Sequence, residues 1–444
     1  MKINQLPDIP REWGIKQIRH IFDIYNGSTP KSGNPEFWNG NINWITPDDL
    51  GSNTDKSITS SRRKITKLGY KSCGVSLAPS GSIALSTRAP IGHLAITKMP
   101  ACVNQGCRIL VPKEGVPEYW YYSLISAKSL IVSLGQGTTF MELPRQSLAS
   151  VALPVPSIDS QKAIAHFLDH KTAQIDALIA KKQSLLDKLA EQRTALISQA
   201  VTKGLDPSVP MKDSGVDWLG KIPKYWHVSK LGYVAKSLQT GPFGSQLHAD
   251  EYVEDGTPLI NPSDISKGKI TGNPTITVED AVVARLSRHK LELGDIVIAR
   301  RGEMGRAGLV GKGNVGWLCG TGSLRARLKK EVINPEFLLY QFSMRGVSEY
   351  LSLQSVGSTM DNLNTSILGR LWVVVPPLQE QNDIISEIQK VSSRIEKMRS
   401  SVTSAISKLQ EYRSALITNA VTGKIDVRDF CIPTTTVQKE VAHG

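Results

Sequence analysis

Residues 191–202 read "EQRTALISQAVT", and residues 411–422, at a separation of 220, read "EYRSALITNAVT". A duplicated segment of this length makes internal self-similarity the first matter to establish, because a missed repeat misassigns the whole fold. Further matches follow in the same order in both halves. "IPREWGIKQI" from Ile9 returns as "IPKYWHVSKL" from Ile222, "WITPDDL" at Trp44 as "LINPSDI" at Leu259, and "GSIALSTRAPIG" at Gly81 as "GDIVIARRGEMG" at Gly294. "PEYWYYS" at Pro117 corresponds to "PEFLLYQ" at Pro335, and "GTTFMEL" at Gly137 to "GSTMDNL" at Gly357. The offset grows from 213 at Trp13/Trp226 to 220 at Gly137/Gly357 and then holds through Asp206/Asp426, so the second half is the same unit with small loop insertions.

Each copy changes character part-way. Its first part is rich in Gly, Pro, Ser and Thr, with short apolar runs such as "SIALS", "DIVIA" and "RLWVVVP" that read as strands between turns. Its last part contains neither Pro nor Gly, from Gln161 to Thr202 and from Gln381 to Thr422, which predicts one continuous helix of roughly 60 Å in each copy. Pro156 with Ser157 and Asp159, and Pro376 with Pro377, supply the start signals, and Gly204 and Gly423 the stops.

A seven-residue spacing links Ile388, Ile395, Val402, Leu409 and Leu416, with Val391, Met398, Ala405 and Tyr412 alternating. The first helix offers Leu168, Ile175, Leu189 and Leu196, interrupted by Lys182, with Leu178 and Leu185 alternating. Two matched stripes in one chain predict mutual coiled-coil packing. Only about 18 residues separate Gly204 from Ile222, too few to return along a 60 Å helix, so the pair is expected to be antiparallel with pseudo-twofold symmetry. The expected fold class is α+β: two β-rich globular parts joined by two long helices. Its boundaries are a globular part over 1–155, a long helix over 156–206, a globular part over 207–375, a long helix over 376–427 and a tail over 428–444.

The 53 Lys+Arg against 40 Asp+Glu give a net charge of +13 and favour a polyanionic partner. No run of 18 apolar residues and no apolar leader occurs, which points to the cytoplasm and away from a membrane. The scattered Cys73, Cys102, Cys107, Cys319 and Cys431 read as reduced thiols.

Catalytic signatures are missing. There is no Walker A motif and no Gly-x-Ser-x-Gly elbow. Gly311, Gly313 and Gly316 satisfy a dinucleotide pattern, but a strand and turn follow where a helix is required. Pro376-Pro377 lacks the surroundings of a methyltransferase base pocket. The Pro47-Asp48 turn has no following Asp/Glu-x-Lys, and His166 with His170 has no third ligand, so neither a nuclease centre nor a metal site is expected.

Basic residues cluster beside Gly-rich turns: Arg62, Arg63, Lys64, Arg88, Arg300, Arg301, Arg306, Arg325, Arg327, Lys329 and Lys330. Arg88 and Arg301 stand at equivalent places after an apolar strand, followed by Gly92 and Gly305, which would let backbone approach a phosphate or base edge. Asn104 and Gln105 are candidates for reading adenine edges, and Thr321 or Ser323 for taking phosphate. The Gly-Ser/Thr-Thr turns add Thr138, Thr139, Ser358 and Thr359. Loops that differ on a shared scaffold suit two different target sequences.

The "IPxxW" openings, the Gly-Ser/Thr-Thr turns, the Pro-x-x-x-x-Gln starts and the "R-x-A-L-I-x-x-A-V-T" ends over about residues 9–427 together resemble the specificity subunit of type I restriction-modification systems. Ser160, where Glu380 stands in the second copy, departs from the pattern. The resemblance implies a non-catalytic reader of double-stranded DNA with two target recognition domains, each taking one half of an interrupted site. It implies that the helices set the gap and dock two methyltransferase subunits, with Arg193 and Arg413 beside the seams, and that restriction/translocase subunits join. S-adenosylmethionine, ATP and magnesium would then belong to the partners, with no cofactor in this chain. A DNA methyltransferase or nuclease with unrecognised motifs is the alternative, and a basic coiled-coil adaptor without sequence preference a third reading.

Overall fold

A computed structural model describes residues 9–137, 141–355, 363–428 and 430. The chain divides into two compact units, Met1–Gln183 with Ser404–Gly444 and Ser184–Thr403. Both divisions fall inside the long helices, Ile158–Lys203 and Leu378–Val421, rather than at the helix ends.

Packing explains why. In the first unit Leu416, Ile417, Ala420 and Val421 from the end of the second long helix enter one core with Ile18, Phe22, Trp120 and Leu148. The Tyr119 hydroxyl there lies 3.0 Å from the Pro154 carbonyl and 3.4 Å from that of Val421. In the second unit Ile197, Ala200 and Val201 from the end of the first long helix enter a core with Trp226, Phe337 and Val374. Apolar burial of this kind outweighs chain continuity in deciding what folds together.

The two units repeat one sheet. In the first, strands run in the order Phe22–Asn26, Cys107–Pro112, Ile83–Ser86, Leu94–Thr97, with Ser57–Ile58 at the edge. In the second the order is Ala235–Thr240, Ser323–Leu328, Ile296–Ala299, Ala307–Leu309. The central strands "IALS" and "IVIA" are buried at every position, which is why they read as unbroken apolar runs. A parallel pair flanks each sheet, Trp38–Ile45 with Ala101–Val103 and Thr257–Ile260 with Leu318–Cys319. A closing pair returns each globular part to its own start, with Gly14 opposite Val155 and His227 opposite Val375. The segment after Gly311 is a short 3-10 turn and then the strand Leu318–Cys319, not a helix.

A buried glutamine sets the start of each long helix. The Gln161 side chain donates to the Pro156 carbonyl at 3.0 Å and accepts from the Val116 N–H at 3.0 Å. Gln381 repeats this, donating to the Pro376 and Val332 carbonyls and accepting from the Asn334 N–H at 2.7 Å. The Pro-x-x-x-x-Gln motif is therefore a staple between helix start and globular part. Gly204 and Gly423, at φ +77° and +73°, end the helices in the left-handed conformation.

Within each unit the helix segments run antiparallel. In the first, Asp176 meets Arg413 through two hydrogen bonds of 2.9 and 3.1 Å, while Phe430, beyond the helix end, packs 4.9 Å from Phe167. In the second, Gly204 faces Glu380, and Arg193 and Ile197 line one pocket with Ile388 and Val391.

The alternating seams differ from expectation. Leu168, Ile175, Leu189, Ile388, Ile395 and Leu416 are buried and Val402 and Leu409 half-buried, but Leu178, Leu185, Met398 and Tyr412 are exposed. Val391 and Ala405 keep half-buried places on the expected seam, and the residues four on turn inward as well: Thr172, Ile179 and Leu186 on one helix, Ser392, Arg399, Ile406, Arg413 and Ala420 on the other. Either neighbour of a heptad position completes a seam. On the second helix Met398 and Tyr412 face out while their neighbours Arg399 and Arg413 turn in. Leu196 is also 38% exposed, against 5% for its counterpart Leu416, although the following Ile197 and Ile417 are both buried. Among the described residues no helix is long and apolar enough to cross a membrane.

Candidate nucleic-acid interface

Several loops of each unit meet at one edge of its sheet. In the first, the Ser28 N–H donates to the Val103 carbonyl at 3.1 Å, and the Thr87 and Arg88 N–H groups donate to the Gly106 carbonyl at 2.7 and 3.2 Å. Leu143 then donates to the Thr87 carbonyl at 2.8 Å. The second unit repeats two of these bonds, Arg300 donating to the Gly322 carbonyl and Leu363 to that of Arg300, each at 3.0 Å, while Pro242, standing where Ser28 does, has no N–H to donate. Two glycines make the crossing possible. A Cβ on Gly27 would lie 1.7 Å from the Asn104 carbonyl oxygen, and one on Gly241 would lie 1.9 Å from that of Gly320. No other residue fits there.

The edge displays exposed Gln105 and Thr321 at matching turn positions. The Gln105 side chain is bonded to the Thr29 hydroxyl, and the half-buried Asn104 side chain is turned inward to the Gly106 N–H at 3.0 Å. Arg301 is exposed, and among the described residues it has no hydrogen-bond or ion-pair partner. Arg63 is exposed and stacked on Trp38. Thr138, Thr139, Ser358, Thr359 and Cys431 lie outside the described residues.

Other basic candidates are already engaged. Arg62 is bonded to buried Asp49 at 3.1 Å, Arg88 to Glu142 at 3.0 Å, and Arg306 to Glu303 at 2.8 Å and the Pro262 carbonyl at 3.2 Å. The Arg88 pair is half-exposed on both sides and contributes at most about 1 kcal/mol, so a phosphate can displace it. Arg325 and Arg327 are internal instead. Arg325 is buried and holds the Arg288 and Lys290 carbonyls at 3.0 Å each, and Arg327 clasps Asp295 and Glu292. Ser323 is fully buried and unavailable to a phosphate. Gly92 and Gly305 back onto the protein's own helices: a Cβ would meet Lys128 at 3.2 Å and Ser348 at 3.4 Å.

Charge is crowded at both edges. Burial, then neighbouring Arg301, pushes the Arg300 guanidinium below its ordinary value, and Arg300 is held by the Leu363 carbonyl at 3.0 Å. Burial likewise lowers Arg108, with Glu142 opposing and Arg145 and Arg88 adding to the shift, while Arg108 ties the Asn26 side chain to the Leu143 carbonyl. A polyanion relieves this repulsion. The Pro47-Asp48 turn is structural: Thr46 and Asp49 form a capping box, and Asp264 repeats half of it by accepting from the Asn261 N–H at 2.8 Å. His166 and His170 lie 6.2 and 5.8 Å from the Phe430 ring, and among the described residues no group of three or more His, Cys, Asp or Glu is arranged for a metal.

The type I restriction modification DNA specificity domain matches this chain twice, over residues 10–187 and 223–402. The chain belongs to that family. The MjaIX specificity subunit of Methanocaldococcus jannaschii is 28% identical to this specificity chain over 443 residues, 97% of each. The EcoKI specificity subunit of Escherichia coli is 22% identical over 440 residues, 94% of this chain and 90% of the relative. Two solved structures share the fold. A chain from work on assembly and conformational transition of the type I R-M system aligns with TM-score 0.71 and 15% identity, covering 94% of this chain and all of that one. The HsdS subunit from Thermoanaerobacter tengcongensis aligns with TM-score 0.54 and 14% identity over 95% of this chain. DNA sequence recognition within a type I system is thus the family function of this specificity chain.

Proposed function

We propose that this specificity chain is a non-catalytic DNA reader in which each unit takes one half of a bipartite, interrupted site. The observation that carries the proposal is the repeated loop edge. Two of the backbone bonds and the glycine crossing recur in both units, while the side chains presented there differ: Gln105 against Thr321, and Ser28 with Thr29 against Pro242 and Phe243. Contacts that position a duplex can be shared, whereas contacts that specify must diverge. Arg62, Arg63, Arg88, Arg300, Arg301 and Arg306 are assigned to phosphate or base, Gln105 and Thr321 to base edges, and Thr138, Thr139, Ser358 and Thr359 to the neighbouring backbone.

The partners are two methyltransferase subunits, docked on the long helices, and restriction/translocase subunits. Exposed Leu178, Leu185, Met398 and Tyr412 leave apolar surface on those helices, and Arg193 with Leu196 borders a pocket of about 190 Å³ in the second unit. The helices set the spacing between half-sites. S-adenosylmethionine, ATP and magnesium chemistry resides in the partners, and the assembly is cytoplasmic. Equilibrium dialysis of the purified chain against labelled S-adenosylmethionine tests the non-catalytic part. No saturable binding is expected without partner subunits, and saturable binding would favour a fused methyltransferase.

A further inference from the structure

Arg63 differs from every other basic residue at the first unit's edge in how it is held. Its guanidinium carbon lies 3.7 Å from the centre of the Trp38 ring and 5.4 Å from that of Trp44. The two indoles pack edge-to-face at 5.1 Å and are themselves buried. Each is locked by its own N–H: Trp38 donates to the Lys31 carbonyl at 3.3 Å and Trp44 to the Ser28 carbonyl at 2.9 Å. The Trp44 backbone N–H reaches the Arg63 carbonyl, so platform and arginine are fixed to one strand pair. Ser28 belongs to the loop edge itself, one residue before the Thr29 that bonds Gln105.

The consequence is a rotationally restrained, solvent-exposed guanidinium. Among the described residues its N–H groups have no hydrogen-bond or ion-pair acceptor. Neighbouring Arg62, by contrast, spends its donor on Asp49. A phosphate is held by a lysine point charge as well as by an arginine fork, so a phosphate contact does not require a guanidinium fixed in its plane. A planar fork held in one orientation by two aromatic rings suits a planar, two-acceptor target, and in duplex DNA that target is the O6/N7 edge of guanine in the major groove. The second unit has no such platform among its described residues, since Leu259 stands where Trp44 does.

We propose that Arg63, planted on the Trp38–Trp44 platform, is the guanine-reading side chain of the first unit, with Trp38 its positioning residue. This rests on the reading of the chain as a two-half DNA reader. The test is Arg63→Lys in the full chain, co-expressed with its modification subunits in a methylation-free host, followed by genome-wide mapping of methylated sites. Lysine keeps the charge and loses the fork. One G·C position in one half-site should become degenerate, while the other half-site and the gap stay unchanged, and that retained half-site serves as the folding control. In vitro, discrimination between guanine and the other bases at that position should fall by roughly five- to a hundredfold. An unchanged motif, a relaxed A·T position, or affinity lost equally for cognate and scrambled duplexes would overturn the assignment, the last by making Arg63 a phosphate contact. Motif-free methylation by the unaltered chain would instead remove the two-half reading, and this assignment with it.

Discussion

Two arginines that the sequence treats as equivalents part company in their surroundings. Arg88 and Arg301 follow matching strands, yet Arg88 is tied to Glu142 while Arg301 is exposed without a partner among the described residues. Arg301→Ala is therefore expected to weaken DNA binding by the assembled complex, lower the slope of log affinity against log salt by about one, and leave the melting temperature unchanged. An unaltered affinity and slope in a salt titration would make Arg301 plain surface. Pairing partners such as Glu142 were invisible in the sequence because they come from distant segments, and the same holds for Trp38 under Arg63. The one available signal was three aromatic or basic residues within a short stretch, Trp38, Trp44 and Arg63. The Ser160 departure was legible, and its structural meaning is now specific. Glu380 accepts from the Trp226 indole at 3.0 Å and the Tyr225 hydroxyl at 2.9 Å, and Trp226 is fully buried. Glu380→Ala should destabilise the second unit by about 1–3 kcal/mol in denaturant unfolding, because it strands a buried donor, and no change would show that water replaces the carboxylate.

At the scale of elements, the long helices were the most legible feature and the seams the least. Absence of Pro and Gly over forty residues leaves few alternatives to helix, and the buried heptad of Ile388, Ile395 and Leu416 follows the apolar spacing. Which flank of that heptad turns inward depends on the tilt of the facing helix, and helical periodicity alone does not contain that tilt. The apolar side chains left outside, Leu178, Leu185, Met398 and Tyr412, are the surface that the proposed docking of methyltransferase subunits would cover. If the helices measure the gap between half-sites, inserting one heptad after Leu185 and one after Ala405 preserves both seams and adds about 10 Å. The unspecified spacer of the methylated motif should then lengthen by about three base pairs with both half-sites unchanged. A spacer of the original length in the mapped motif would show that something other than the helices sets it.

For the whole molecule, duplication is the governing fact. It was readable from order and offset alone, and it carried the α+β architecture and the family with it. The sharing of helix ends was less readable. Leu416 and Ile417 complete the core of the unit that begins at the N-terminus, a contact across most of the chain that only tertiary packing reveals. The loop edges were half legible: strand ends and Gly-rich turns announced where they lie, but Ser323, Arg325 and Arg327 looked exposed in sequence and are internal in the fold. Specific base contacts depend on side-chain reach and on duplex shape, which neither spacing nor charge encodes. The methylated motif itself, mapped across the genome of a host carrying this chain and its modification subunits, is the most direct measurement. Two specified segments separated by a gap of fixed length are predicted. Scattered methylation without a motif, or one uninterrupted motif, would contradict a two-unit reader.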